Sequence, residues 1–189
     1  MLPIFSRIYA QVEKMKQPTE MIACVTNDLK TASLLKKSPI QAKNEFFLQE
    51  LDYEIKFSYD GLEALLFRLV KYADKNSPNG SNFEKDILEI AANEIQGERG
   101  PLISPQTLEV FKNLKTFSKN HMPGSQETVF EAGENFAKAY SYFLEDLLAF
   151  HKQKEPDLPE KKIRPIIDQL RLSPLIVFNP NSSKNFERE

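Results

Sequence analysis

The chain has 189 residues, 41% of them hydrophobic, with a formal net charge of -2. That length suits one domain, or one domain with a tail, and the near-neutral charge argues against indiscriminate binding to nucleic acid or to an anionic membrane. A single cysteine, Cys24, excludes an intramolecular disulfide and a thiolate metal cluster; its default role is a small buried side chain in an intracellular protein.

Helical periodicity dominates the chain from its N-terminus onward. Phe5, Ile8, Tyr9 and Val12 form a short apolar stripe, and Ile22, Val25, Leu29 and Ala32 form a second one. Between them stands Pro18, which lacks an amide hydrogen and disfavours helix in the residue before it. A kink or break is therefore expected at Pro18, with Thr19 as the N-cap of the next helix. No apolar run nears the roughly 20 residues that span a bilayer. The segment from Met1 to Arg7 has no apolar stretch leading to a small-residue cleavage site. A cytoplasmic protein with no membrane contact is the expectation.

From Asn44 to about Asp74, the residues Phe47, Leu48, Leu51, Ile55, Leu62, Leu65, Leu66, Leu69 and Ala73 recur on one face. Gly61 interrupts this long helix at a cost of about 1 kcal/mol against alanine, which suggests a close approach of another backbone. Residues 75–80 read as a loop by their proline and glycine. Ser81 and Glu84 then form a capping box for a helix burying Phe83, Ile87, Ala91 and Ile95, which ends at Gly97 or Gly100-Pro101. Ser104-Pro105 pairs an N-cap with proline at the first helical position and opens a helix that buries Leu108, Phe111, Leu114 and Phe117. Pro123-Gly124 breaks it. A last long helix runs from about Gln126 to His151 with Val129, Phe130, Phe136, Ala137, Tyr140, Phe143, Leu144, Leu147 and Leu148 inside.

No alternating strand pattern occurs before residue 155. The pattern predicts an all-α protein, an up-and-down antiparallel bundle of about five helices over residues 1–155 with a short C-terminal tail. Residues 156–189 form an extension, partly irregular, in which 161–172 make one more short helix. The apolar run Leu175, Ile176, Val177 and Phe178, boxed by Pro174 and Pro180, is too short to found a sheet. It is a candidate contact for a groove of its own domain or of a partner.

Three stretches carry a family likeness: Tyr59-Asp60-Gly61-Leu62-Glu63 within a long helix, Pro78-Asn79-Gly80-Ser81-Asn82-Phe83 ahead of an acidic helix, and Arg99-Gly100-Pro101-Leu102-Ile103-Ser104 opening the helix that ends in Phe117. Their order and loop spacing resemble the HepT-like family of the HEPN superfamily over about residues 19–152. That resemblance implies a helical bundle that usually forms a homodimer. It also implies, in many members, an RNA-cleaving toxin restrained by a small nucleotidyltransferase antitoxin. The nuclease signature is an arginine followed after four to six residues by a histidine, which would stabilise and move protons around the scissile phosphate. Here Ser118 stands where the arginine is expected and Pro123 about where the histidine is, and no arginine lies between Arg99 and Arg164.

The remaining chemistry is sparse. His121, Lys119 and Ser118 are the weak catalytic candidates, with Tyr59 or Asp60 from the neighbouring helix. The plain role of His121, and of His151, is a cation at a helix C-terminus. Lys112, Lys115 and Lys119 recur at spacings of three and four and are weak candidates for RNA-phosphate contacts; a solvated polar face opposite Leu108, Phe111 and Leu114 is the favoured reading. Lysine also lacks the bidentate fork of arginine. Glu84, Asp86, Glu89 and Glu94 do not have the Glu-x-x-His spacing of di-iron bundles. No metal, no cofactor and no P-loop, Rossmann or nucleophile-elbow motif is expected. The function expected is a non-catalytic HepT-like bundle acting as a dimerising protein-interaction module, with a toxin–antitoxin or defence role. The alternatives are an RNA-cleaving HEPN-type ribonuclease with a rebuilt site, and an unrelated helical effector or adaptor.

Overall fold

Six helices follow one another in the computed structural model, which describes residues 1–34, 41–74, 83–96, 99–120 and 124–173. They are α1 (Pro3–Leu34), α2 (Gln41–Ala73), α3 (Phe83–Ala92), α4 (Pro105–Ser118), α5 (Gln126–Lys154) and α6 (Glu160–Leu170). The first five form the expected all-α bundle. The short helix expected in the extension is α6, which lies along α1. Ser81, His121, Pro123 and the run Leu175–Phe178 lie outside the described residues, so the capping box at Ser81 does too.

The core forms where the apolar stripes meet. Helix α1 runs antiparallel to α5, since Thr26 meets Gly133 at one end and Tyr9 meets His151 at the other. Both helices also pack against α2, and α4 closes the bundle against α5 and α2. Phe5, Ile8, Val12, Ile22, Ile55, Leu62, Leu66, Phe111, Phe136 and Phe143 are fully buried. At the centre the Phe111 ring lies 6.0 Å from Tyr59 and 6.1 Å from Phe143, joining α2, α4 and α5 through aromatic contacts.

Five local expectations need correction. Helix α1 runs through Pro18 without a break. Thr19, expected as an N-cap, is mid-helix and buried, with its hydroxyl donating to the Met15 carbonyl at 2.6 Å. A proline costs a helix about 3 kcal/mol, but α1 buries apolar residues on both sides of it and would lose that packing by breaking. The close approach at Gly61 is made by a side chain, not a backbone: a Cβ there would lie 2.9 Å from Met15 Sδ. Cys24 is exposed. Phe47, assigned to the inner face of α2, is 49% exposed.

The link between α2 and α4 turns on a buried charge. Arg99 and Asp74 are both buried and form an ion pair, Nε and Nη2 reaching the two carboxylate oxygens. The guanidinium also donates to the carbonyls of Ile90 (2.9 Å), Asn93 (2.8 Å) and Gly100 (3.1 Å). It thereby satisfies carbonyls at the end of α3 that have no helical partner of their own. Leu102 then donates to Ala91 O at 2.7 Å, and Ser104 caps α4 by accepting from the Thr107 amide. On α5, Asp146 Oδ2 accepts from the Ser104 amide (2.8 Å) and from the Thr107 hydroxyl (2.5 Å), which fixes where α4 begins.

His151 does not act on terminal carbonyls as expected. It is buried, stacked 4.0 Å from the Phe5 ring, with Nδ1 2.7 Å from the Tyr9 hydroxyl and Nε2 2.9 Å from Glu155. An ionised Glu155 only accepts, so a neutral ring carries its hydrogen on Nε2 and Nδ1 accepts from Tyr9. Burial raises the Tyr9 phenol above its ordinary range, and Glu155 adds to the shift. Glu155 is held below the usual carboxylate range, first by the Leu2 amide that donates to it and then by His151.

Two testable outcomes arise from this packing. A Cβ at Gly133 would stand 2.1 Å from Thr26 Oγ1. Gly133→Ala is therefore expected to destabilise the fold by about 1–3 kcal/mol, measured from urea midpoints, with much of the loss recovered when Thr26→Ala is added. Because the folded-state pKa of Glu155 is depressed, its contribution is present above the unfolded value of about 4.3 and is lost as pH falls below it. Glu155→Gln is expected to flatten the acid limb of a stability-versus-pH curve while leaving the alkaline limb in place.

Candidate interaction surface at the end of α4

The last turn of α4 is the position where the sequence places its weak catalytic candidates. Phe117 is buried, Ser118 is half-buried and Lys119 is the exposed C-cap, its amide donating to Lys115 O at 3.2 Å. Helix α2 holds both sides of this end. Asp52, nearly buried, accepts from the Gly124 amide at 3.3 Å and pairs with Lys56 Nζ at 2.7 Å. Lys56 Nζ in turn lies 5.2 Å from the centre of the Phe117 ring, a cation–π contact. The carboxylate and ammonium of one α2 turn thus clamp the end of α4 and the start of the chain toward α5. Gly124 suits this approach, because a Cβ there would sit 3.0 Å from Val129 and 3.3 Å from Phe117.

The lysine stripe is not a free cationic edge. Lys112 pairs with Glu89 of α3 at 2.5 Å and Lys115 pairs with Glu63 of α2 at 3.0 Å, so neighbouring carboxylates answer two of the three charges. Coulomb attraction to phosphate is weakened where a carboxylate already sits on the ammonium. The third, Lys119, is exposed. Tyr59 and Asp60, the residues proposed to complete a rebuilt nuclease site, separate here. Tyr59 is buried and its hydroxyl donates to Glu63 at 3.3 Å. Its phenol is held protonated well above the ordinary range, first by burial and then by Glu63. Asp60 is exposed, with its carboxyl raised by partial burial and by Glu63. Among the described residues no three His, Cys, Asp or Glu side chains converge as they would on a metal ion, and no helix is long and apolar enough to cross a membrane.

Among the described residues, the most exposed aromatic group is one that the periodicity of the sequence does not single out. Tyr53 and Phe57 on α2 are each 65% exposed, with rings stacked at 6.4 Å and 12°. Two turns before Tyr53, Phe46 is 58% exposed, with Phe47 beside it at 6.0 Å. Phe46, Tyr53 and Phe57 have spacings of seven and four, an a/d-like stripe. The signal was present in the sequence. It was hidden because a second apolar stripe, the core-facing one, accounts for the helix by itself.

A family model described as HepT-like protein matches residues 51–150, from the third turn of α2 to the last turns of α5. No curated protein and no solved structure matches the chain. The matched span holds Asp52, Tyr53, Lys56, Phe57, Arg99, the whole of α4 and Gly124; α1 and α6 lie outside it.

The clamp has a measurable consequence. Asp52→Ala removes an acceptor from both Lys56 and the Gly124 amide and is expected to cost about 1.5–3 kcal/mol, read from a denaturant midpoint. Asp52→Asn keeps a neutral acceptor for Gly124 and is expected to cost less than half of that.

Proposed function

Because this chain belongs to the HepT-like family, within the HEPN superfamily, we propose that it is a non-catalytic helical bundle that dimerises and serves as a protein-interaction module. The observation that carries this reading is the Phe46–Tyr53–Phe57 stripe on α2. It is exposed and aromatic, and lies beside the clamp that ends α4. Contiguous exposed apolar groups of this kind mark interaction surfaces, and Tyr and Phe are enriched at the centres of interfaces. Stacked rings are already ordered, so little side-chain freedom is lost on association. A two-fold dimer would pair the stripe with its own copy, the isologous arrangement that most homo-oligomers use.

The end of α4 supports the non-catalytic half of the proposal. A nuclease at this position needs a free guanidinium or ammonium beside an imidazole. Here Ser118 occupies the arginine position, and Lys112 and Lys115 are paired with carboxylates, which leaves exposed Lys119 as the one lysine of the stripe that a rebuilt site would have to use. A small nucleotidyltransferase partner, in a toxin–antitoxin or defence setting, fits the family premise as the second protein held by the module.

Light scattering coupled to size exclusion tests the surface. The wild-type chain is expected to elute as a dimer, and Tyr53→Glu with Phe57→Glu as a monomer with an unchanged far-ultraviolet circular dichroism spectrum. A monomeric wild type, or a double variant that stays dimeric, contradicts the proposed face. Incubation with total RNA is expected to leave it intact for both wild type and His121→Ala. Cleavage by the wild type that the single change abolishes would restore the ribonuclease reading.

A further inference from the structure

The charged side chains of α2 sort by position once the ion pairs within the chain are set aside. Asp52 pairs with Lys56, and Glu63 pairs with Lys115. Among the described side chains of the helix this leaves Glu45, Glu50, Glu54, Asp60, Arg68 and Lys71, none of which is in an ion pair. The four acids all come before Gly61 and the two cations after it. Five of the six are exposed; Glu54 is half-buried and accepts from the Ser58 hydroxyl at 3.4 Å. The outer surface of α2 is therefore acidic in its first half and basic in its last turns.

The aromatic stripe continues across both halves. Tyr53, Phe57, Asp60, Ala64, Phe67 and Lys71 follow one another at alternating steps of four and three, the spacing that keeps one line of a helix facing a neighbouring helix. All are exposed except Phe67, which is half-buried. Lys71 Nζ lies 4.4 Å from the centre of the Phe67 ring. From Tyr53 to Lys71 this seam rises about 27 Å along the helix axis. A second copy can lie on it in two senses. With both helices running the same way, every charge meets its own copy, Glu54 against Glu54 and Arg68 against Arg68, and like charges in contact disfavour the pairing. With the helices running in opposite directions about a two-fold axis level with Gly61 and Leu62, residues equally far from the axis meet. Phe57 then faces Phe67, Tyr53 faces Lys71 and the small Ala64 faces Asp60, while Glu54 on the flank reaches Arg68. Ring meets ring, an ammonium meets a tyrosine ring, and a guanidinium meets a carboxylate. Symmetry makes each of these contacts twice.

We propose that the α2 face takes a second copy of this chain lying antiparallel to the first, with Glu54 of each copy paired to Arg68 of the other. This rests on the reading of the stripe as a dimer face. It adds the direction of pairing, the register, and two charged residues outside the stripe that select both.

Charge reversal tests the direction. Sedimentation equilibrium of the full chain over a concentration series at low ionic strength reads the dimer dissociation constant. Glu54→Arg and Arg68→Glu are each expected to raise it by about tenfold or more, because each brings like charges together at both symmetry-related contacts. The double variant carrying both changes restores unlike pairs and is expected to return to within about threefold of wild type. Circular dichroism reads whether the single variants are folded, and recovery in the double variant separates lost charge pairing from misfolding. A monomeric wild type overturns the dimer face and this orientation together. A wild-type dimer that Tyr53→Glu with Phe57→Glu dissociates, but that neither single charge reversal weakens, leaves the face in place and overturns the antiparallel pairing, since parallel copies only exchange one like-charge contact for another. A double variant as weak as the single ones overturns it too.

Discussion

The buried pair of Arg99 and Asp74 is the constraint on which the arrangement of the other helices depends. A guanidinium out of water is tolerated only when its charge and its hydrogen-bond donors are satisfied. Here they are satisfied by a carboxylate at the end of α2 and by carbonyls at the end of α3. Removing one partner of such a pair typically costs about 3–5 kcal/mol, because the other charge is left behind in the interior. The pair therefore holds the end of α2, the end of α3 and the chain entering α4 in one geometry. From there Asp146 of α5 accepts from Ser104 and Thr107, so the start of α4 is set from two sides.

A helix placed so firmly at its start presents its other end in one place only. Asp52 and Lys56 meet that end from α2, and Tyr53 and Phe57 occupy the adjoining surface of the same helix. The face proposed for association is thus an outcome of core packing: the stripe of α2 that enters the core leaves its aromatic counterpart outside. The seam between α1 and α5 works differently. It depends on small size at Gly133, where the Thr26 hydroxyl fills the space that a side chain would need, and on the stacked Phe5 and His151 rings at the far end.

Three charged pairs of this bundle link one helix to another. Lys115 reaches Glu63, Lys112 reaches Glu89 and Lys30 reaches Glu134, each joining two helices. Exposed pairs such as Lys112–Glu89 contribute little to stability, typically up to about 1 kcal/mol, yet each of the three lowers the local positive potential that a polyanion would meet. That is the physical content of reading the α4 lysines as structural side chains. It depends on what sits opposite them, and a spacing pattern within one helix carries no information about the opposite side.

The sequence by itself determined the class of fold, most helix boundaries and the family. These features rest on local rules: the 3.6-residue recurrence of apolar side chains and the Ser104-Pro105 cap. The absence of an arginine at Ser118 was equally plain, because it needs only the order of residues. Tertiary structure decided the rest. Pro18 lies inside a continuous helix because burial along α2 and α5 outweighs a local penalty. Gly61 faces a methionine side chain, His151 is a buried ring between Tyr9 and Glu155, and Phe46, Tyr53 and Phe57 are left uncovered. Each of these depends on which partner arrives from more than a dozen residues away in sequence, and periodicity within a single helix does not encode that.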